Sequence, residues 1–185
     1  MKHKALTLAA LIFVTCLPLT GDEAEYAKIR TALRQLAPLV GSWDTVWSFY
    51  DKDGVTREVG TTKVSYVLDE TYLELVVDRH NPANPARTKK MITFITYNPR
   101  TEKYDTTYFY NRWALRVTET GDYDDEDQEF RTRALIPLED GKRDENVRTI
   151  TSFKDPNRLV HNHYSRYSDE QTERRDLEIV MTRVR

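Results

Sequence analysis

The sequence predicts an all-β protein, an antiparallel up-and-down barrel of about ten strands with one N-terminal helix. Three observations predict it. From Ser42 onward apolar and polar residues alternate with a period of two, so successive side chains face opposite sides of a sheet. Clusters of Gly, Pro, Asn and Asp break that alternation at even intervals, as hairpins require. No helical pattern separates the strands to make parallel βαβ units, and closing a meander this long removes its exposed edges. At 185 residues the chain is expected to form one core.

In residues 23–40, Tyr26, Ile29, Leu33, Leu36 and Val40 recur at the three-and-four spacing of one helical face. Pro38 and Gly41 are expected to end this helix. It needs a surface to bury its stripe, and the end or flank of a barrel is the natural place. Residues 42–50 then alternate Trp43, Thr45, Trp47 and Phe49 with Asp44, Val46 and Ser48, and Asp51-Lys52-Asp53-Gly54 turns the chain. Strands are expected at 55–68, 71–79, 90–97, 104–112, 113–120, 129–138, 146–153, 159–167 and 174–184. Gly60 suggests a bulge. Residues 81–85, with Pro82 and Pro85, are expected to be a loop, as are the carboxylate-rich residues 121–127. Residues 90–97, apolar through Met91, Ile92, Phe94 and Ile95, suggest a strand covered on both faces, with the helix as a candidate cover.

The first residues have a different composition. Lys2 and Lys4 precede an apolar run over residues 5–17, too short to span a bilayer, followed by Pro18, Thr20, Gly21 and the acidic Asp22. This is the layout of a secretory signal peptide, so residues 1–21 are set aside, residues 22–185 form the barrel domain, and the protein is expected to be exported to the periplasm or beyond. The single cysteine, Cys16, falls in this segment. Phe13-Val14-Thr15-Cys16 faintly resembles a lipidation signal, but Thr15 stands where a smaller residue is usual, which favours simple export. The remaining chain has no thiol and must be stabilised by packing.

Residues 1–21 carry two lysines and no acid, so removing them takes the formal charge from −2 to −4. Mildly acidic and with signs intermixed, the chain lacks the basic stripe that binds a phosphate backbone, which argues against nucleic acid. No second apolar run is long enough to span a membrane.

Gly41-Ser42-Trp43 after a short helix resembles the opening of lipocalin-like (calycin) barrels. Further stretches are similar to the bacterial DUF1579 family of lipocalin-like proteins: residues 36–47, Gly60-Thr61-Thr62, Val67-Leu68, Tyr72-Leu73, Tyr97-Asn98, Lys103-Tyr104-Asp105 and Met181-Thr182-Arg183. Leu68-Asp69-Glu70 stands where that family tends to have glycines. The resemblance implies a fold and transfers no catalytic residue.

Trp43, Trp47, Phe49, Tyr66, Tyr104, Tyr108 and Tyr110 form an aromatic set that would either line a lumen or fill it. His161 and His163 share one strand face, an arrangement that some zinc sites use, but a third ligand from Glu74, Asp78 or His80 would depend on register, and the plainer reading is a solvated face. Residues 122–127 match a calcium loop in charge but not in spacing. No Gly-x-Ser-x-Gly or phosphate loop occurs. The expectation is therefore a barrel binding a small apolar or amphipathic molecule through Trp43, Trp47, Tyr66, Tyr104, Tyr108, Tyr110, Arg112, His161 and His163, with Arg112 or Arg116 orienting it and no metal or cofactor assigned. Two alternatives are an envelope interaction module with a filled barrel, and a hydrolase or isomerase using polar residues at one barrel mouth. Enzyme activity is left open, leaning against.

Overall fold

The computed structural model describes residues 20–111, 116–137 and 144–185. The signal-peptide reading of residues 1–21, with Cys16, falls almost wholly outside the described residues, and Arg112, Trp113 and Leu115 fall outside them too. Helix α1 (Thr20–Gln35) is followed by one 3-10 turn (Ala37–Leu39) and ten strands. These are β1 (Gly41–Asp51), β2 (Gly54–Val67), β3 (Tyr72–Asn81), β4 (Asn84–Asn98), β5 (Lys103–Tyr110), β6 (Val117–Asp124), β7 (Glu129–Pro137), β8 (Asp144–Asp155), β9 (Arg158–Tyr167) and β10 (Arg174–Arg183). Each strand pairs antiparallel with its chain neighbour, and β1 pairs with β10 to close the barrel.

Alternation decides which side chains point inward. Trp43, Thr45 and Trp47 of β1 are buried while Ser42, Asp44 and Val46 between them are exposed. Hairpin chemistry then fixes the register. At five connections an Asp or Asn side-chain oxygen accepts the backbone N–H two residues on, from Asp51 to Asp53, Asn81 to Ala83, Asn98 to Arg100, Asp124 to Glu126 and Asp155 to Asn157. Gly54 follows the first of these turns at φ +136°, a conformation that a side chain disfavours.

The α-helix stops at Gln35, five residues before the expected end. Pro38 has no N–H to offer the carbonyl of Arg34 and its ring would collide with that turn, so the backbone tightens into 3-10 bonds from Leu39 to Leu36 and Val40 to Ala37, 2.9 and 3.0 Å. Tyr26 lies on the predicted stripe but is 47% exposed, because the first turns of α1 lie away from the core; Leu33 and Leu36 are fully buried. Burying each of these leucines contributes about 1.5–3 kcal/mol.

Further expectations are corrected along the strands. Gly60 makes no bulge: its pairing with Thr45 and Arg79 runs on in register. A Cβ there would come within 2.0 Å of the Asp78 carbonyl oxygen, so the glycine permits close backbone approach. Of residues 81–85 only Pro82 and Ala83 are turn, and Pro85 lies in the exposed start of β4, where a register shift between Arg79 and Asn81 relaxes the pairing. Gly121–Asp124 is strand, leaving only residues 125–128 as turn. The outer face of β4 is not shielded by α1 at Ile92, which is 39% exposed and shares that face with an edge-to-face series of Tyr72, Phe94 and Phe109.

Candidate functional site

The barrel interior has two halves. At the end covered by α1 it is solid. Tyr104 Oη lies 2.7 Å from both the Ala32 carbonyl and Gln35 Oε1, Tyr66 Oη donates to the Leu33 carbonyl at 3.3 Å, and Trp43 Nε1 donates to the Leu39 carbonyl at 2.7 Å. Tyr97, Tyr104 and Phe130 stack edge to face with centroids 5.2 Å apart in each pair. Burial pushes the Tyr104 hydroxyl well above the ordinary phenol range. Trp43, Tyr66 and Tyr104 are therefore the plug that joins helix to barrel, and they do not line the free space.

Beyond Trp47 the interior opens. A chamber of about 230 Å³ is lined by apolar Met91, Val117, Ile136, Leu177 and Ile179 and by polar Arg79, Glu119, His161 and His163. A smaller space of about 80 Å³ continues toward the plug, and Trp47, Met91, Tyr108, His161 and Ile179 border both. Of the residues singled out from sequence, the structure gathers Trp47, Tyr108, Tyr110, His161 and His163 around this chamber. Arg116 is exposed, and among the described residues the guanidinium in the chamber is that of Arg79, which sequence reasoning missed.

Arg79 comes from the inward face of β3. Its guanidinium lies 4.3 Å from the Trp47 ring centre, 5.0 Å from Phe49 and 5.6 Å from Tyr110. Its Nη1 donates to Glu58 Oε2 at 2.6 Å, and Lys89 Nζ donates to the other oxygen of the same carboxylate. Glu58 and Arg79 are 3% and 8% exposed. The sequence signal is their alternation: Glu58 shares its side of β2 with Thr62, and Arg79 its side of β3 with Leu75 and Val77.

A ladder of threonines, also missed, lines the smaller space from β2, β4, β5 and β8: Thr62, Thr93, Thr106, Thr149 and Thr151. Thr132 Oγ1 bonds Thr149 Oγ1 at 2.6 Å and also donates to Glu119. Among the described residues Thr93 Oγ1 and Thr106 Oγ1 are buried without a hydrogen-bond partner.

The titratable groups of the chamber form two linked sets. Tyr108 Oη donates to Glu119 Oε2 at 3.1 Å. Burial, with the Glu119 charge and this bond behind it, raises the Tyr108 hydroxyl well above its ordinary value. Burial also raises Glu119, against the hydroxyl of Thr132 and the charge of His163. His163 Nδ1 lies 2.6 Å from Asp176 Oδ1. Burial alone would lower His163, but that bond and the charges of Asp176 and Glu119 outweigh it and hold the imidazole above its usual range. Burial would likewise raise Asp176, and His163 more than offsets it, so the carboxyl is lowered. His161, 2.9 Å from Thr151 Oγ1 through Nδ1, has no such partner charge; burial first and His163 second take it down to about 3, so it is neutral at pH 7.

The histidine pair faces inward and is not a solvated strand face. Glu74, Asp78 and His80 lie on the alternate face of β3 from Leu75, Val77 and Arg79, so they do not reach it. Among the described residues no three His, Cys, Asp or Glu side chains come together as a metal site. In the acidic stretch 122–127, Asp122 of β6 pairs with Lys103, and Asp124 and Asp127 pair with Arg131.

A closed ten-stranded antiparallel meander, stoppered at one end by its N-terminal helix and hollow beyond, defines a lipocalin-like barrel protein. The chain belongs to the family described as "Protein of unknown function (DUF1579)", which matches residues 30–183. In fold it is similar to Rv2717c from M. tuberculosis, with a TM-score of 0.60 at 15% identity, over 83% of this chain and 98% of that one. It is also similar to the S-type phycobiliprotein lyase CPES from Guillardia theta, with a TM-score of 0.58 at 10% identity, over 87% of this chain and 97% of that one. No functionally curated protein matches the chain.

Proposed function

We propose that this protein binds a small apolar or amphipathic molecule inside the barrel. The observation that carries the reading is the chamber of about 230 Å³ between Trp47 and the ends of β5, β6 and β7, walled by apolar side chains with a few polar groups contributed by β3, β6 and β9. A ligand there gains about 25 cal/mol for each Å² of apolar surface removed from water, less the cost of its lost motion. The role named for CPES, a phycobiliprotein lyase, concerns that protein and supports no more here than a barrel interior suited to a guest. The uncharged dye Nile red is expected to fluoresce with the folded protein, and Met91→Trp, which fills the shared wall of both spaces, is expected to abolish the signal. Failure of the wild type to take up any apolar probe rejects the reading.

A second reading is favoured by one observation, the His163–Asp176 pair in the same chamber as Tyr108–Glu119. A base held by a carboxylate opposite a phenol could move protons on a bound molecule. Ligand retained from the host, incubated in heavy water, would then gain deuterium with the wild type and not with His163→Asn. We further propose that residues 1–21 direct export, which N-terminal sequencing of the protein from its host would check.

A further inference from the structure

We infer that the chamber selects an amphipathic monoanion, a single carboxylate on an apolar body, and seats that carboxylate between Arg79 and Lys89 while the body lies along Met91, Leu177 and Ile179. This rests on the binding reading above and names the ligand's chemical class.

Charge is the first reason. Two cations, Arg79 of the chamber wall and Lys89 on the far oxygen of the same group, converge on the one carboxylate of Glu58, so the cluster carries a surplus of one positive charge. Among the described residues the other carboxylates at the chamber are committed elsewhere. Asp176 holds His163, and Glu119 accepts from Tyr108 and Thr132 while its own burial favours the protonated form. Lys89 keeps 30% of its side chain in contact with solvent, but Arg79 is nearly out of water, and one further negative charge beside it would balance the cluster.

An unused donor is the second. Arg79 is 8% exposed and lines the chamber, yet its buried Nε has no hydrogen-bond partner among the described residues. Guanidinium groups present their donors as a planar fork suited to carboxylate, and Glu58 engages only Nη1. Trp47, Phe49 and Tyr110 hold that plane in place, so little side-chain freedom remains to be lost when a ligand arrives. A surplus of one charge, not two, fits a carboxylate better than a phosphate ester.

Position is the third. Arg79 packs over Phe49, Phe49 pairs across the sheet with Leu177, and Leu177 pairs with His163. The cation therefore stands beside the apolar wall, and a head bound there leaves the body against Leu177, Ile179 and Met91.

The test compares decanoate, 1-decanol, decyl phosphate and decyltrimethylammonium by titration calorimetry on the full-length wild type at neutral pH. Decanoate is expected to bind at least tenfold tighter than decanol, with decyl phosphate no tighter than decanoate and the ammonium weakest. The preference is expected to fall below threefold in Arg79→Met. Because that variant leaves Glu58 facing Lys89 alone and could fold poorly, Glu58→Gln is the companion: it frees both cations and is expected to tighten decanoate severalfold without changing decanol. Equal binding of acid and alcohol, tighter binding of the phosphate or the ammonium, or weaker decanoate binding by Glu58→Gln overturns the inference and leaves the barrel a binding protein. Absence of binding by every amphiphile, the alcohol included, overturns both.

Discussion

The guanidinium of Arg183 lies 4.2 Å from the centre of the Trp43 ring, so the final residue of β10 covers the first tryptophan of the barrel. The same group donates to the carbonyls of Pro38 and Val40 at 2.8 Å and of Pro156 at 3.0 Å. It satisfies the backbone where the 3-10 turn ends and ties that turn to the β8–β9 hairpin. Gly41 is what admits it, since a Cβ at that position would meet Arg183 Nη1 at 2.5 Å.

Replacing Arg183 by Met is therefore expected to cost about 2–3 kcal/mol, because the substitution removes the charge-assisted hydrogen bonds and the cation–π attraction to Trp43 at once. Arg183→Lys recovers only a small part, because one ammonium cannot span three carbonyls. Urea unfolding followed by circular dichroism reads both.

Leu68, Asp69 and Glu70 have φ of 50°, 55° and 62°, three consecutive residues in the left-handed region. Leu68 is 68% exposed, so little packing depends on its side chain. Leu68→Gly is expected to stabilise the protein by about 0.5–1 kcal/mol, since glycine removes the Cβ penalty of that conformation. An unchanged or lowered melting temperature contradicts it.

His161 carries the acid sensitivity. Its folded pKa, about 3, is below the unfolded value, so stability is fully present above about pH 6.5 and is lost as pH falls toward the folded value, about 2–3 kcal/mol by pH 4.5. His163 works the other way. Its folded pKa is raised, so its contribution is complete below about pH 6.5 and fades as pH climbs through the folded value, while that of Asp176 is lost only as pH falls from about 3.8 toward its lowered folded value. In a urea series across pH, His161→Gln is expected to flatten the acid limb and His163→Gln the alkaline one.

Thr93 and Thr106 bury hydroxyls that no neighbour among the described residues satisfies. Thr106→Val keeps the shape and removes the unpaired group, and is expected to leave the free protein as stable or up to about 1 kcal/mol more so. A melting experiment showing destabilisation above about 1 kcal/mol would mean that the hydroxyl is bonded through water.

The barrel is legible in the sequence because period-two alternation and turn residues are local signals. Asp51, Asn98 and Asp155 announce their hairpins by residue type alone. Where the sequence is not enough, the deciding term lies across the sheet. Gly60 resembles a bulge because the approach of the Asp78 carbonyl cannot be seen along the chain. Within the aromatic set, Tyr104 and Tyr108 are indistinguishable by pattern, four residues apart on one face of β5; which one meets the helix depends on height along the barrel axis, set by strand tilt. Arg79 escapes sequence reasoning because a charged residue is expected outside, and only its pairing with Glu58 makes an inward position tolerable.

Because β1 pairs with β10, Trp43 aligns with Arg183 and Phe49 with Leu177, and the wall has a seam joining the two extremes of the domain. Until β10 docks, the other nine strands can form only a sheet with both borders bare. Only the pairing of β10 with β1 turns that sheet into a vessel, so a variant lacking this strand is a molecule with no inside.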